Sequence, residues 1–126
     1  MREIWIVDDN QEMCRAIELM LKVLDFRATI FNSAPAAAEI IVSGKLPDLI
    51  ILDVNMPEVS GLDMVEFLRR KSESKNLPIV MLSYETDDGV VDQALRIGAD
   101  AYIRKPATLE ELEKAIATAF YKRLPL

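Results

Sequence analysis

The stretch Leu49-Ile50-Ile51-Leu52-Asp53-Val54-Asn55-Met56-Pro57 decides how this chain folds. Four apolar residues in succession, two of them β-branched, read as a short strand buried on both faces, the pattern of a parallel sheet. The strand closes on an acid, Asp53. The chain then turns through Met56-Pro57-Glu58-Val59-Ser60-Gly61 and resumes as an amphipathic helix. In open α/β sheets ligands bind at the carboxyl ends of the strands, so Asp53 stands where such a fold does its chemistry. An acid at a strand end can also simply cap a turn. What the rest of the chain brings to Asp53 separates the two readings.

Strands and helices alternate on either side of this centre. Glu3 to Val7 is a first strand. Gln11 to Leu24 is helical, with Met13, Ile17, Met20, Leu21 and Leu24 on one face. Arg27 to Phe31 is a second strand. Ser33 caps a helix over Pro35 to Val42, with Pro in its first turn and Gly44 near its end. Pro47-Asp48 leads into the central strand. Beyond it, Leu62 to Lys71 is helical and Ser72 to Asn76 is a polar loop. Pro78 to Leu82 forms a fourth strand, and Asp87 to Ile97 a helix stopped by Gly98. Ala101 to Arg104 is a short fifth strand. Thr108 caps the last helix, and Glu111 three residues on completes a capping box. The apolar face of that helix is Leu109, Leu112, Ile116, Ala119 and Phe120. Five βα units with short connections predict one doubly wound α/β domain over residues 1–126. The flavodoxin-like strand order 2-1-3-4-5 suits five strands.

Composition narrows the chemistry. The chain has 126 residues, of which 51% are apolar, enough for a substantial core without a disulfide or metal staple. Its formal charge of −6 argues against a nucleic-acid partner, which would need a basic footprint. No apolar run approaches a membrane span, and the N-terminus does not read as a signal peptide, so the expected compartment is the cytoplasm. The single cysteine, Cys14, falls on a helix with no histidine to activate it and reads as a buried thiol. The chain contains no histidine at all, which excludes His-ligated zinc, a Ser-His-Asp triad and formation of a phosphohistidine on this chain.

In the 2-1-3-4-5 order the first and third strands straddle the switch point, and their ends carry Asp8, Asp9 and Asp53. Three converging carboxylates repel one another unless a cation neutralises them. The candidate ligands are all oxygens, which select Mg²⁺, with Mn²⁺ or Ca²⁺ as alternatives. The competing reading of Asp8-Asp9-Asn10 is capping of the first helix. The fourth strand leads to Ser83, a hydroxyl donor, and the fifth to Lys105-Pro106, an ammonium suited to a phosphoryl oxygen. Acids for a metal, an acid able to accept, a hydroxyl and an ammonium together describe phosphoryl transfer to a carboxylate.

At these positions the chain resembles the response-regulator receiver domain, the CheY-like family of two-component signalling. Val7-Asp8-Asp9-Asn10 resembles the family's acidic pair. Leu52-Asp53-Val54-Asn55-Met56-Pro57, with Gly61, resembles its acceptor motif. Met81-Leu82-Ser83 resembles its hydroxyl segment, and Gly98-Ala99-Asp100-Ala101-Tyr102-Ile103-Arg104-Lys105-Pro106 its closing motif. The resemblance implies that Asp53 is the phosphorylation site. It implies that Asp9 and the main-chain carbonyl of Asn55 bind Mg²⁺ (or Mn²⁺) directly, beside Asp53, with Asp8 acting mainly through water. Lys105 and Ser83 would contact the phosphoryl group, and Ser83 with Tyr102 would form the switch. Lys105-Pro106 would be a cis peptide. The phosphoryl donor would be a sensor histidine kinase or histidine phosphotransfer protein. Output would pass through the face made by Asp87 to Ile97, Ala101 to Arg104 and Thr108 to Tyr121, to an output domain or a downstream protein. Such a domain is a monomer or a phosphorylation-dependent homodimer. Its enzymatic activity is at most self-phosphorylation from phosphodonors and autodephosphorylation.

One position departs from the family pattern. Tyr84 follows Ser83 where a small residue is usual. Its ring, with Asn55 and Glu85 nearby, is a candidate to modulate access to Asp53, or to contact a partner. Two other uses of the fold fit less well. An FMN protein needs a phosphate loop after the first strand, where Asp8-Asp9-Asn10 would repel the phosphate. An aspartyl phosphatase of the haloacid dehalogenase type wants an acid two residues after the nucleophile, where Asn55 stands. A pseudo-receiver acting only as an interaction module usually lacks part of the acid and lysine set, all of which is present here.

Overall fold

The computed structural model describes residues 1–84 and 87–125. Along the chain lie β1 (Glu3–Val7), α1 (Gln11–Val23), β2 (Arg27–Phe31), α2 (Ala34–Val42) and β3 (Leu49–Asp53). They are followed by α3 (Gly61–Arg70), β4 (Ile79–Ser83), α4 (Asp88–Ile97), β5 (Ala101–Arg104) and α5 (Leu109–Lys122). The strands are parallel and lie in the order β2-β1-β3-β4-β5, as the sequence predicts.

Side chains of a strand alternate between its faces, so a strand with helices on both sides must be apolar throughout. All five residues of β3 and of β4 are buried. One face of the sheet supplies Trp5, Val7, Ile50, Leu52, Ile79 and Met81, which pack with Ala37 and Ile41 of α2, Met64, Val65 and Leu68 of α3, and Ala94 of α4. The other supplies Ile4, Ile6, Leu49, Ile51, Val80, Leu82 and Ile103, packed with Cys14, Ile17 and Leu21 of α1 and Leu112, Ile116 and Ala119 of α5. The sheet thus separates two cores, each covered by its own helices. Trp5 lies in the first, with its ring centroid 4.7 Å from that of Phe31.

Element ends differ from the sequence reading by one residue at several points, each with a local cause. Ser60 caps α3 by accepting from the Asp63 amide, which makes Gly61 the first helical residue. Ser33 accepts from the Ala36 amide, so α2 starts at Ala34. Asp87 is the cap of α4 and Leu24 that of α1, outside the helices themselves. β4 begins after Pro78, which has no N–H to give the ladder, and extends to Ser83, which pairs with Arg104. The predicted capping box of Thr108 and Glu111 is formed.

Two constraints fix the ends of the sheet. At the carboxyl end, Gly61 lies directly beneath the turn that follows β3. A Cβ there would stand 2.1 Å from the Asp53 carbonyl oxygen and 2.9 Å from the Val54 Cα, backbone atoms that cannot rotate away. The Gly61 amide donates to the Val54 carbonyl at 2.8 Å, which holds this close approach. At the opposite end Asp100 is buried. Its carboxylate accepts from the Ile79 amide at 2.9 Å, from Arg69 at 3.1 Å and from Arg123 at 2.8 Å. Arg69 also donates to the carbonyls of Gly98 at 2.9 Å and Leu77 at 2.6 Å, and Lys122 donates to that of Asp100 at 2.9 Å. One carboxylate therefore ties the far ends of α3, β4 and α5 to the start of β5. Burial, with the neighbouring charge of Arg123, pulls Arg69 down to about 10 against the opposing pull of Asp100, so it stays charged at neutral pH.

Gly61→Ala is expected to cost about 1–3 kcal/mol, the usual penalty for overpacking a filled site. Urea unfolding measures it, and a variant as stable as the parent would contradict the close approach. Asp100→Asn leaves two half-buried guanidiniums facing a neutral group and is expected to cost about 3 kcal/mol, the low end for breaking one partner of a buried ion pair. The same titration reads it, and a loss below about 1 kcal/mol would show the network to be dispensable.

Candidate functional site

The carboxyl ends of β1, β3, β4 and β5 converge because the parallel register sets them level, and three of the ladders run one step past their strands. The Asp8 amide donates to the Phe31 carbonyl at 3.1 Å, the Val54 amide to the Leu82 carbonyl at 3.3 Å, and the Lys105 amide to the Ser83 carbonyl at 2.8 Å. These bonds bring residues from four separate segments to one rim. A cavity of about 190 Å³ opens there, lined by Asp8, Asp9, Asn10, Asp53, Asn55, Ser83, Tyr84 and Lys105.

Lys105 is its electrostatic centre. Its ammonium donates to Asp8 Oδ2 at 2.8 Å and stands 3.3 Å from Asp53 Oδ1, and its side chain is only 3% exposed. Burial works against this charge, but the hydrogen bond to Asp8 and the charge of Asp53 outweigh it, so the ammonium titrates above its ordinary range. Burial also favours the protonated form of Asp53, and the charge of Asp8 adds to it. Lys105 and the Asn55 amide, which donates to the carboxylate, pull the other way, and the balance stands at about 6.

Asp8 is buried and holds the entry to α1 as well as Lys105. Its Oδ1 accepts from the Asn10 amide at 2.9 Å. Asn10 performs the capping of α1, accepting from the Met13 amide at 3.0 Å. The helix therefore does not use Asp9, whose exposed side chain is left to the cavity. One carboxylate oxygen from each of Asp8, Asp9 and Asp53 lies within 4.8 Å of the others. The donors are all hard oxygens, a set that fits Mg²⁺ or Mn²⁺ and does not fit a soft metal. Beneath Asp8, the Cys14 thiol donates to the Asp8 carbonyl at 3.3 Å, and burial pushes its pKa up to about 11, so it stays a thiol.

The structure thus gathers Asp8, Asp9, Asp53, Asn55, Ser83, Tyr84 and Lys105. Ser83 is fully buried at the end of β4, while the next residue, Tyr84, is 61% exposed. The Lys105-Pro106 peptide is cis. Glu85 lies outside the described residues. Tyr102 lies away from this cavity. Its ring packs against the core shared with α3 and α4, and its hydroxyl oxygen is buried. It also borders a second hollow of about 500 Å³ between α4, β5 and α5, with Val91, Arg104, Glu111 and Lys114. Two features of the site lie beyond the sequence reading. One is the ammonium bridge from Lys105 to Asp8 and Asp53. The other is the Tyr84 ring, whose centroid is 5.2 Å from the Lys105 ammonium. The ladder partners Ser83 and Arg104 precede Tyr84 and Lys105, and that register, a property of the folded sheet, places the second contact without any local sequence signal.

Comparison with known proteins agrees with this geometry. Residues 4–117 match the family described as response regulator receiver domain. The chain is 31% identical to the chemotaxis protein CheY of Pseudomonas aeruginosa, over 94% of this chain and 95% of that protein. It is 32% identical to protein RcaC of Microchaete diplosiphon over 90% of its own length but spans only 17% of RcaC. Several curated relatives are likewise far longer, and the chain spans from 7% to 48% of five of them. Among solved structures, a putative response regulator from Chloroflexus aurantiacus superposes with a TM-score of 0.89 at 28% identity, covering 95% of this chain and 98% of that one. The match along nearly the whole chain, in sequence and in strand order, places this protein in the response regulator receiver family of two-component signalling.

Proposed function

We propose that this chain is a phosphoacceptor switch in which Asp53 takes a phosphoryl group from the phosphohistidine of a kinase or phosphotransfer protein. The observation that carries this reading is the placement of the Asp53 carboxylate at the end of the central strand, against the Lys105 ammonium and beside two further carboxylates, in one open cavity. A carboxylate oxygen of Asp53 attacks phosphorus as the bond to the donor imidazole breaks, and the imidazole nitrogen leaves with a proton from solvent. Lys105 already touches Asp53, so a small movement suffices for its ammonium to meet a phosphoryl oxygen. Ser83 stands at the same rim to donate its hydroxyl. Asp8, Asp9, Asp53 and the Asn55 carbonyl are the groups that would hold Mg²⁺ or Mn²⁺. When bound, such an ion offsets negative charge on the transferring group.

The hollow between α4, β5 and α5 supports an output surface on that face. It is bordered by Tyr102, whose strand carries Lys105 at its end. Phosphorylation would bias two packings of this face, and an output domain or protein would read the difference. Further assignments belong to the same proposal: a cytoplasmic setting, a monomer or phosphorylation-dependent homodimer, and Ser83 with Tyr102 as the moving pair. Among the described residues no helix is long and apolar enough to cross a membrane.

Intact mass after incubation with acetyl phosphate and Mg²⁺ tests the acceptor. The chain is expected to gain one phosphoryl group, Asp53→Asn none, and chelation is expected to abolish the gain. Gain of the same mass by Asp53→Asn would move the acceptor elsewhere. A partner phosphohistidine protein should supply the same group where acetyl phosphate is slow.

The acid cluster also has a cost that can be read without any donor. Asp53 binds its proton more tightly in the folded chain, near 6, than at its ordinary 3.8. The folded state therefore holds more protons than the unfolded state between those values, and this group lowers stability as pH rises from about 4 through about 6. Fully buried, a shift of this size is worth about 3 kcal/mol, and water in the open cavity reduces it to about 1–2 kcal/mol. In metal-free buffer Asp53→Asn is expected to be more stable than the parent by about that amount at pH 7.5. The gap is expected to close as pH falls toward 4. Urea unfolding across this range checks both the size and the direction, and a gap that widens toward low pH would refute the assignment.

A further inference from the structure

β2 is the outer strand of the sheet on the side away from β5. The Arg27 amide donates to the Arg2 carbonyl at 3.0 Å, and the Phe31 carbonyl accepts from the Asp8 amide at 3.1 Å. Main-chain direction alternates along a strand in a parallel ladder. Arg27, Thr29 and Phe31 therefore bond to β1, while Ala28 and Ile30 turn their N–H and C=O groups outward. Sheet edges are commonly blunted by proline or by charge. Here the two outward positions carry only Ala and Ile.

Two hollows border this edge. One, of about 510 Å³, is lined by Phe26, Ala28 and Thr29 together with Glu18 and Lys22 of α1. The other, of about 240 Å³, is lined by Ile30 and Asn32 together with Gln11 and Arg15 of α1. Gln11, Arg15, Glu18 and Lys22 recur at helical spacing and form one stripe of α1. Ala28 and Ile30 pack toward the core that α1 covers, so each outward-turned residue has a hollow beside it. Arg15 and Lys22 are exposed, and among the described residues neither enters an ion pair.

We propose that the β2 edge is a docking site for an extended segment of a partner protein, which adds as a further strand and sets acidic side chains against Lys22 and Arg15. Residues of the added strand opposite Ala28 and Ile30 exchange hydrogen bonds with the outward groups. They stand two apart, so both their side chains fall on the α1 face, one in each hollow. A carboxylate in each hollow complements the base that lines it. The residues between turn to the other face, where β-branched side chains suit a strand. The chain as a whole carries −6, so an acidic segment is attracted at these two bases and repelled over most of the remaining surface. The edge lies across the sheet from β5, which leaves the acid cavity and the hollow between α4, β5 and α5 open while it is occupied.

The probe is the peptide acetyl-Val-Glu-Val-Glu-Val-amide, whose pattern is the same in either strand direction. Chemical shifts and amide hydrogen exchange of the whole ¹⁵N-labelled chain are followed by NMR as peptide is added. Exchange at the Ala28 and Ile30 amides is expected to slow about ten-fold, while Arg27 and Thr29, already bonded to β1, stay as they were. The lysine counterpart, acetyl-Val-Lys-Val-Lys-Val-amide, is expected not to bind. Arg15→Glu combined with Lys22→Glu is expected to weaken binding of the glutamate peptide about ten-fold. Ala28→Pro removes one outward N–H without touching a bond to β1, and is expected to abolish binding. Should that variant fail to fold, the charge reversal on exposed helix positions decides. Unchanged Ala28 and Ile30 amides, equal binding of the lysine peptide, or affinity untouched by the charge reversal would each overturn the proposal. Protection of the same two amides that grows with protein concentration, without peptide, would assign the edge to a second copy and overturn the choice of partner.

Discussion

The bridge from the Lys105 ammonium to Asp8 and Asp53 is the contact on which the site depends. It joins two residues 97 positions apart in the chain and closes the sheet's rim from β5 back to β1 across the central strand. Without a cation between them, Asp8 and Asp53 would repel at a place where neither is well solvated. With it, the two acids can be buried and still remain close enough to share a metal. The same ammonium lies where a phosphoryl group would need it, so the contact that stabilises the resting chain also prepares the proposed reaction. Stability and chemistry compete for one lysine.

The rest of the fold serves to hold that rim. Buried apolar strands place four segment ends in one row, and helices on both faces leave the sheet little freedom to shear. Gly61 lets α3 come up directly under the turn after β3, and Asn10 relieves the acids of the duty of capping α1. At the other end Asp100 gathers Arg69, Arg123 and Lys122. The two ends follow opposite rules. The far end satisfies a buried carboxylate with three donor groups, whereas the near end sets three carboxylates around one ammonium, a donor set compatible with a hard cation.

Much of this was legible in the residues themselves. Continuous apolar runs at Leu49–Leu52 and Ile79–Leu82 marked strands covered on both faces, and the acids, hydroxyl and lysine at strand ends marked the rim. Thr108 and Glu111 announced the start of α5 in full. The ladder's last step was harder to read, because Ser83 belongs to β4 only through its partner Arg104. What was not legible depends on distance in the chain. Nothing local to Asp100 reports that Arg69 and Arg123 will close on it, and an isolated arginine near a helix end reads as a solvated charge. Nor does any spacing show that Tyr84 folds toward Lys105, since that contact requires both the register and the side-chain direction.

The buried thiol has a practical corollary. Cys14 is the chain's single cysteine, and its sulfur is enclosed by the core, tied to the Asp8 carbonyl and held far from its thiolate form. Thiol reagents act on exposed thiolates. A cysteine introduced at a surface position would therefore be the one reactive thiol on the protein. A dye, spin label or cross-linker placed there could follow movements of α4 and β5 in real time, with the native sequence around the acid pocket left untouched.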